Sequence, residues 1–267
     1  MNILFIAKHK WPHVGGVEKH VEMLKHEFRK TKYEINILSE KDIKPPKIKL
    51  FGLLYIWYWF FKNRRFILVS DIIHIHDVFI WYLPFIFLFP FKKVFITFHG
   101  WEGKFPLTSW SILNKRIANK LTNGSIAVGK YIEKWYGIKA DYIIHGAAQS
   151  LAISRLPIVK TKNTIVWLGR QDEDTGINEF KEWLKSHPEL KAKYITNIKN
   201  PEKYLKTAEY CVPSGYLSYL EAKSYGCKII AFADNPLKED YWNEIKALKL
   251  IPTWKNVADV YLKLWNK

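Results

Sequence analysis

Five short stretches of this 267-residue chain combine side chains able to do chemistry. In Cys211-Val212-Pro213-Ser214-Gly215 a small-residue loop follows an apolar run, and Leu220-Glu221-Ala222 sets one carboxylate in the helix beyond it. A carboxylate accepts several hydrogen bonds at once, so Glu221 suits the cis-diol of a ribose. It would equally suit an ion pair with Lys223 or Lys228. Gly169-Arg170 ends the apolar run Thr164–Leu168 with a guanidinium, placed for a diphosphate or for an ordinary surface carboxylate. The pair Gly15-Gly16 opens a helix after the first apolar run. Glycines let a backbone approach a ligand closely and helix-start N–H groups favour an anion, although a tight turn alone would also use them.

The other two stretches fare worse. Gly124–Lys130 satisfies GxxxxGK, yet the next residue is Tyr131 where magnesium would need Ser or Thr, and Ser125–Val128 itself reads as a strand. His74-Ile75-His76-Asp77, with His99 at the end of another strand, raises a metal site. On a strand His74 and His76 share a face while Asp77 points away, so the three do not converge without a bend. A buried structural role for the two histidines is the favoured reading.

The elements that must carry these residues follow the alternation of short apolar runs with longer 3.6-period segments, the pattern of βα units around parallel sheets. Strands are read at Asn2–Ala7, Ile35–Leu38, Asp71–His76, Val94–His99, Ser125–Val128 and Tyr142–His145, with helices over Val17–Lys30 and Ser109–Leu121. After a patternless linker at Ser150–Asn163, a second series places strands at Thr164–Leu168, Tyr194–Thr196, Tyr210–Val212 and Lys228–Phe232. Its helices cover Gly176–Ser186, Pro201–Thr207, Leu217–Tyr225, Leu237–Leu248 and Val257–Trp265. Two doubly wound units in succession imply an α/β chain of two Rossmann-like lobes, with ligands at the carboxyl ends of the strands.

Composition narrows the partners. The net charge is +17, and the first 150 residues hold 23 basic against 11 acidic residues while the remainder holds 19 against 14. This excess suits an anionic partner: a membrane surface, a nucleic acid or a phosphorylated substrate. A Lys-rich solvated surface is the plainer account. No nucleic-acid module is recognisable. Two cysteines without paired spacing suit a reducing compartment, and the first residues do not read as a signal peptide. The aromatic stretches Phe51–Phe61 and Val78–Phe91 fall short of the roughly 20 residues needed to span a bilayer, so they are read as buried or interfacial. Tyr55, Trp57, Trp59, Phe60 and Phe61, beside Lys62, Arg64 and Arg65, are the candidate interfacial set.

Taken in order, Gly15-Gly16-Val17-Glu18, the Asp71–His76 strand, Thr97-Phe98-His99-Gly100, the strand and helix of Ser125–Tyr136, Gly169-Arg170 and Pro213-Ser214 to Leu220-Glu221-Ala222 resemble the family 4 glycosyltransferases, in a small prokaryotic form. The resemblance implies the GT-B fold, two Rossmann-like lobes around a cleft. It implies an N-terminal acceptor lobe over 1–155, a nucleotide-sugar donor lobe over 156–253, and a C-terminal helix at 254–267 that packs back on the first lobe. The implied activity is that of a hexosyltransferase-type enzyme, retaining configuration, that moves a sugar from a nucleotide diphosphate sugar to a glycan or lipid-linked acceptor. That chemistry needs no cofactor and no metal, and the implied setting is cytoplasmic, at the inner face of the cell membrane. Gly15 and Gly16 would line the cleft beside the diphosphate, and His99, the implied catalytic-site residue, would contact the transferred sugar. Arg170 would take the diphosphate, Ser214 would belong to the donor loop, and Glu221 would take the ribose. Two positions depart from the family pattern: Thr175 stands where a second diphosphate cation is usual, and no acid lies between Pro213 and Glu221. A GT-B homologue that binds or scaffolds without catalysing is the rival reading these departures favour.

Overall fold

The computed structural model describes residues 1–10, 15–100, 105–148, 159–198 and 200–267. The first half builds a parallel sheet from β1 (Asn2–Ala7), β2 (Glu34–Leu38), β3 (Ile72–His76), β4 (Lys93–Phe98), β5 (Gly124–Ala127) and β6 (Tyr142–Ile143), in the order β2-β1-β3-β4-β5-β6. Between these strands run α1 (Gly16–Phe28), α2 (Glu40–Ile43), α3 (Lys49–Lys62), α4 (Arg65–Leu68), α5 (Phe79–Leu88), α6 (Ser109–Leu121) and α7 (Lys130–Tyr136). A second parallel sheet joins β7 (Thr161–Leu168), β8 (Lys191–Ile195), β9 (Ala208–Pro213) and β10 (Lys228–Ile229) in the order β10-β9-β7-β8. Its helices are α8 (Ile177–Lys185), α9 (Glu202–Thr207) and α10 (Tyr216–Ser224), and α11 (Pro236–Lys246) and α12 (Trp254–Trp265) close the chain.

Each sheet reverses its winding once, between β1 and β3 in the first and between β7 and β9 in the second. Such switch points open a crevice at the carboxyl ends of the strands, because the flanking connections leave to opposite faces. The strand sequences explain why both faces are covered. All five residues of Ile72–His76 are buried, and in β7 Ile165 and Trp167 enter one core while Val166 and Leu168 enter the other. The β8 edge was legible only at its end, as Tyr194–Thr196. Its start, Lys191-Ala192-Lys193, is polar because an edge strand is solvated, and charge there also protects it from pairing with another chain. The last strand is shorter than its apolar run, Lys228–Ile229 rather than Lys228–Phe232. Residues 150–158 of the expected linker lie outside the described residues, and Thr161–Asn163 belong to β7.

The last two helices return to the first sheet. Trp254, Tyr261, Leu264 and Trp265 of α12 are buried in the same core as β1, β3 and β4. On α11, two acids one turn apart grip α7. Asp240 accepts from Lys134 Nζ at 2.5 Å and Trp135 Nε1 at 2.8 Å. Glu244 accepts from the Lys130 and Tyr131 backbone N–H groups at 2.6 and 3.0 Å and pairs with His145 Nε2 at 2.7 Å. The start of a helix leaves N–H groups without intrahelical partners, so a carboxylate there serves as cap and countercharge together.

Burial alone would raise the Glu244 carboxyl, but His145 and the two N–H groups outweigh it and hold the group below the ordinary range. A lowered carboxyl contributes stability above its unfolded value and loses it as pH falls through the folded one. Glu244→Ala should therefore lower the unfolding free energy at pH 7 by about 2 kcal/mol, the scale of lost charge-assisted bonds to a part-buried group. Urea denaturation measures it, and an unchanged midpoint would show that the α7–α11 clamp contributes nothing.

Candidate active site

Most of the expected site residues lie in the loops after the strands, at or beside the two switch points. Gly15 precedes α1, and Asp77 and His99 follow β3 and β4. Arg170 and Ser214 follow β7 and β9, and Glu221 lies in α10. Asp77 adopts φ 61°, the bend that turns the chain at the end of β3. Its carboxylate accepts the His99 backbone N–H at 3.0 Å and faces Lys115 Nζ at 3.6 Å. Lys115 is buried, its ammonium 4.9 Å from the Tyr136 ring centroid and 5.5 Å from that of Phe98. Burial raises the Asp77 carboxyl, and Lys115 and the His99 N–H oppose that rise.

Behind His99 lies a row of imidazoles. His76 Nδ1 and His99 Nε2 are 2.8 Å apart, and the His20 ring of α1 meets His99 edge-on at 4.8 Å. His74 Nε2 bonds Thr97 Oγ1 at 2.8 Å, Thr97 Oγ1 bonds the Tyr261 hydroxyl at 2.8 Å, and that hydroxyl bonds His20 Nε2 at 3.0 Å. Trp265 Nε1 donates to His74 Nδ1 at 2.9 Å. Both nitrogens of His74 are thus taken, which fits its expected structural role and removes it as a metal ligand. Among the described residues no group of three or more His, Cys, Asp or Glu is arranged to hold a metal ion.

Burial is the main reason that His20, His74 and His76 lie well below the usual imidazole range, and neighbouring imidazoles add to it. His99 is lowered to about 3 by burial and then by Lys115. All four are neutral at pH 7. His76 Nε2 has no partner among the described residues. An unpaired buried acceptor costs less than an unpaired donor, so we assign the His76 proton to Nδ1, donated to His99 Nε2. His99 then carries its own proton on Nδ1. A neutral imidazole so held can orient a hydroxyl but cannot act as a general acid near neutrality.

The structure gives Glu221 a partner the local spacing did not suggest. Neither Lys223 nor Lys228 reaches it; Lys19 Nζ of α1 donates to Glu221 Oε1 across the two lobes. Burial raises the Glu221 carboxyl and Lys19 pulls it back. Lys19 and His20 are consecutive, so one turn of α1 touches the α10 carboxylate and the His99 cluster together. The glycine pair also differs from expectation. Glu18 folds its carboxylate over Gly15, where a Cβ would overlap it, so an internal anion already sits at this helix start. A Cβ on Gly16 would meet none of the described residues.

In the second sheet, Gly169 has φ +129°, and a Cβ there would overlap the Ser214 hydroxyl, so only glycine lets the ends of β7 and β9 close together. Ser214 N–H donates to Leu168 O at 2.9 Å. Arg170 is about half exposed and pairs with Asp172 and, at 3.1 Å, with Asp174. Thr175 turns inward, buried, with its hydroxyl on the Asp172 carbonyl. A cation nevertheless reaches this turn from elsewhere: Lys238 of α11 is buried, and its Nζ donates to the Asp174 carbonyl. Burial lowers the Lys238 ammonium and nearby Arg170 lowers it further, while Asp234, Asp174 and Glu179 oppose this. Lys19, Lys115 and Lys238 were all missed from sequence. Their partners lie 202, 38 and 64 positions away, beyond any local pattern.

No family model and no curated protein sequence matches the chain. Solved structures do. It is similar to sucrose-phosphate synthase from Thermosynechococcus elongatus at TM-score 0.69 and 13% identity, over 99% of this chain and 98% of that one. A glycosyltransferase from Rickettsia africae ESF-5 aligns at TM-score 0.61 and 11% identity, over 99% and 88% of the two chains. UDP-GlcNAc 2-epimerase from Neisseria meningitidis, bound to UDP-GlcNAc, aligns at 0.57 and 11%, over 100% and 92%. The chain therefore has the GT-B fold, two Rossmann-like lobes with parallel sheets.

The imidazole row has a thermodynamic signature. An unfolded histidine titrates near 6.5, whereas these stay neutral in the folded chain, so their stability is complete above that value and is lost as pH falls below it. Each contributes a slope of about 1.4 kcal/mol per pH unit once the unfolded chain binds its proton. Urea unfolding from pH 7.5 down to 5 should show stability falling with a slope approaching several protons. A slope below one proton would contradict buried, neutral imidazoles.

Proposed function

We propose that the chain is a nucleotide-sugar-dependent glycosyltransferase of the family 4 type, with the donor held by the second lobe and the acceptor presented by the first. What carries this reading is the presence of three features at the carboxyl-end side of the two sheets of a GT-B fold. They are a cation pair beside the β7 turn, a carboxylate on α10, and a neutral imidazole at the end of β4. Arg170 and Lys238 face the diphosphate from two elements, Lys238 standing in for the cation that Thr175 does not supply. Glu221 keeps one carboxylate oxygen clear of Lys19 for a ribose hydroxyl. Ser214 lies in the donor loop, Gly15 and Gly16 border the cleft, and His99 offers its Nδ1–H to a sugar hydroxyl.

The reaction breaks the bond between the anomeric carbon and the diphosphate oxygen and forms one between that carbon and an acceptor oxygen. The acceptor proton passes to a phosphate oxygen as the nucleoside diphosphate leaves, with attack on the same face and configuration retained. The chain supplies position and charge: cations that stabilise the growing negative charge of the diphosphate, and a dry imidazole that fixes the sugar. No step requires a cofactor. The transferred unit is a hexose, and the acceptor a glycan or a lipid-linked sugar.

A second reading, binding without transfer, is favoured by the absence of any carboxylate between Pro213 and Glu221. The two readings share a donor site and differ in turnover. Arg170→Ala should weaken nucleoside diphosphate binding by about 2–3 kcal/mol, the scale of a charge-assisted pair, and Lys238→Gln by a comparable amount. Glu221→Gln should weaken binding through the ribose. If calorimetry finds all three variants binding as the unmodified chain does, the donor site is elsewhere. Release of free sugar from a radiolabelled donor, or its transfer, then separates an enzyme from a binding homologue.

A further inference from the structure

The helix from Lys49 to Lys62 is aromatic on every side, but its faces have different fates. Ile56 and Phe60 are buried, and Trp57 donates Nε1–H to the Ile80 carbonyl of α5 at 2.9 Å. Trp59 stacks on Phe66, ring centroids 6.0 Å apart. The expected interfacial set is thereby corrected, since Phe60 is core and Trp57 and Trp59 are half-buried. The exposed face is Phe51, Leu54, Tyr55, Tyr58 and Phe61, with Phe51 62% and Tyr58 58% exposed. Their spacing of three and four residues makes one continuous stripe along the helix.

That stripe continues beyond α3. Phe66, Leu68 and Val69 are exposed in and after α4. Phe87, Leu88 and Phe91 are exposed at the end of α5, Phe91 by 68%. Lys92 ties the two regions, donating to the Leu68 and Ser70 carbonyls at 2.8 and 2.6 Å. Soluble surfaces seldom leave so many large apolar side chains together unless something covers them. No acid occurs between Asp42 and Asp71 or between Asp77 and Glu102, while Lys62, Arg64, Arg65 and Lys93 are exposed beside the stripe. Arg64 lies over the Phe61 ring at 5.5 Å. Among the described residues no helix is long and apolar enough to cross a membrane.

From this stripe and its one-signed rim we infer that the outer face of α3, α4 and the end of α5 docks on an anionic lipid bilayer, rings in the headgroup layer and cations on lipid phosphates. Lipid fits better than a protein partner because, among the described residues, this face offers exposed apolar and basic side chains but no acid to pair with a partner's cations. The site and the membrane share an element: α5 starts two residues after Asp77 and ends on the docking face. Docking would thus hold the acceptor lobe at the bilayer, and it holds whether or not the chain transfers sugar.

Flotation of the purified chain on vesicles of phosphatidylcholine, alone or mixed with phosphatidylglycerol, tests the inference. The chain should float with the mixed vesicles and lose that binding as salt rises. Arg64→Gln with Arg65→Gln should weaken partition to the mixed vesicles by about 30-fold. Phe51→Ser, Tyr58→Ser and Phe61→Ser together should weaken it by more than about 100-fold with an unchanged circular dichroism spectrum. These positions are exposed, so the variants should fold, and the salt titration of the unmodified chain stands apart from them. No flotation on mixed vesicles, equal flotation on neutral ones, or variants that float like the unmodified chain would each overturn the inference. So would a dimer that the aromatic variant splits while neither form floats, since the face would then be a self-association surface.

Discussion

Two histidines on a strand covered on both faces create an obligation that the rest of the molecule meets at every nitrogen but His76 Nε2, among the described residues. His74 and His76 cannot be charged at that depth, and as neutral rings they still need partners for their nitrogens. Thr97 on the neighbouring strand answers part of the need, and His99 another part. Further partners come from the far end of the chain, where Tyr261 and Trp265 bring a hydroxyl and an indole N–H to His20, Thr97 and His74. This fastens α12 to the first sheet. Because α12 follows α11, the same bonds hold α11 where Asp240 and Glu244 grip α7 and where Lys238 reaches the Asp174 carbonyl of the second lobe. These bonds add to the apolar packing of α10, α11 and α12 against the first lobe, which joins the two lobes.

Charge is distributed in a matching way. Among the described residues, the histidine row behind His99 is polar but uncharged, and Lys115 and Asp77 face each other beside it. Full charges gather at the rim: Lys19 with Glu221, and Arg170 with Asp172 and Asp174. Ion pairs at solvent-exposed positions contribute little, so exchanging the Arg170 carboxylates for a diphosphate costs little stability. Lys238 differs, being buried and bonded to a carbonyl, with Asp234, Asp174 and Glu179 near enough to support its charge. A site made this way offers pre-placed cations to an anion, with uncharged hydrogen-bonding groups in the first lobe.

Much of the fold was legible. The strand read at Asn2–Ala7 coincides with β1, and Thr164–Leu168 ends where β7 ends, because a buried parallel strand must be apolar on both faces. The order of the strands was not legible from local pattern, and with it the switch points that gather the site. Glu221 stood out as the one acid in an apolar turn of α10, but its partner lies on α1 in the other lobe, and only the fold brings them together. Lys238 sits in a helix turn beside Glu239 and Asp240 and looks like any solvated lysine until α11 packs. The aromatic run of α3 announced an unusual surface, while the choice of face depended on Trp57 finding the Ile80 carbonyl.

The most direct measurement is ligand-observed NMR of UDP-, GDP- and ADP-sugars with the purified chain. A donor site built from Arg170, Lys238 and Glu221 predicts that at least one of them receives saturation at its ribose and anomeric protons, and that the matching nucleoside diphosphate displaces it. Absence of transfer to every nucleotide sugar, at concentrations well above ordinary donor affinities, would contradict the account.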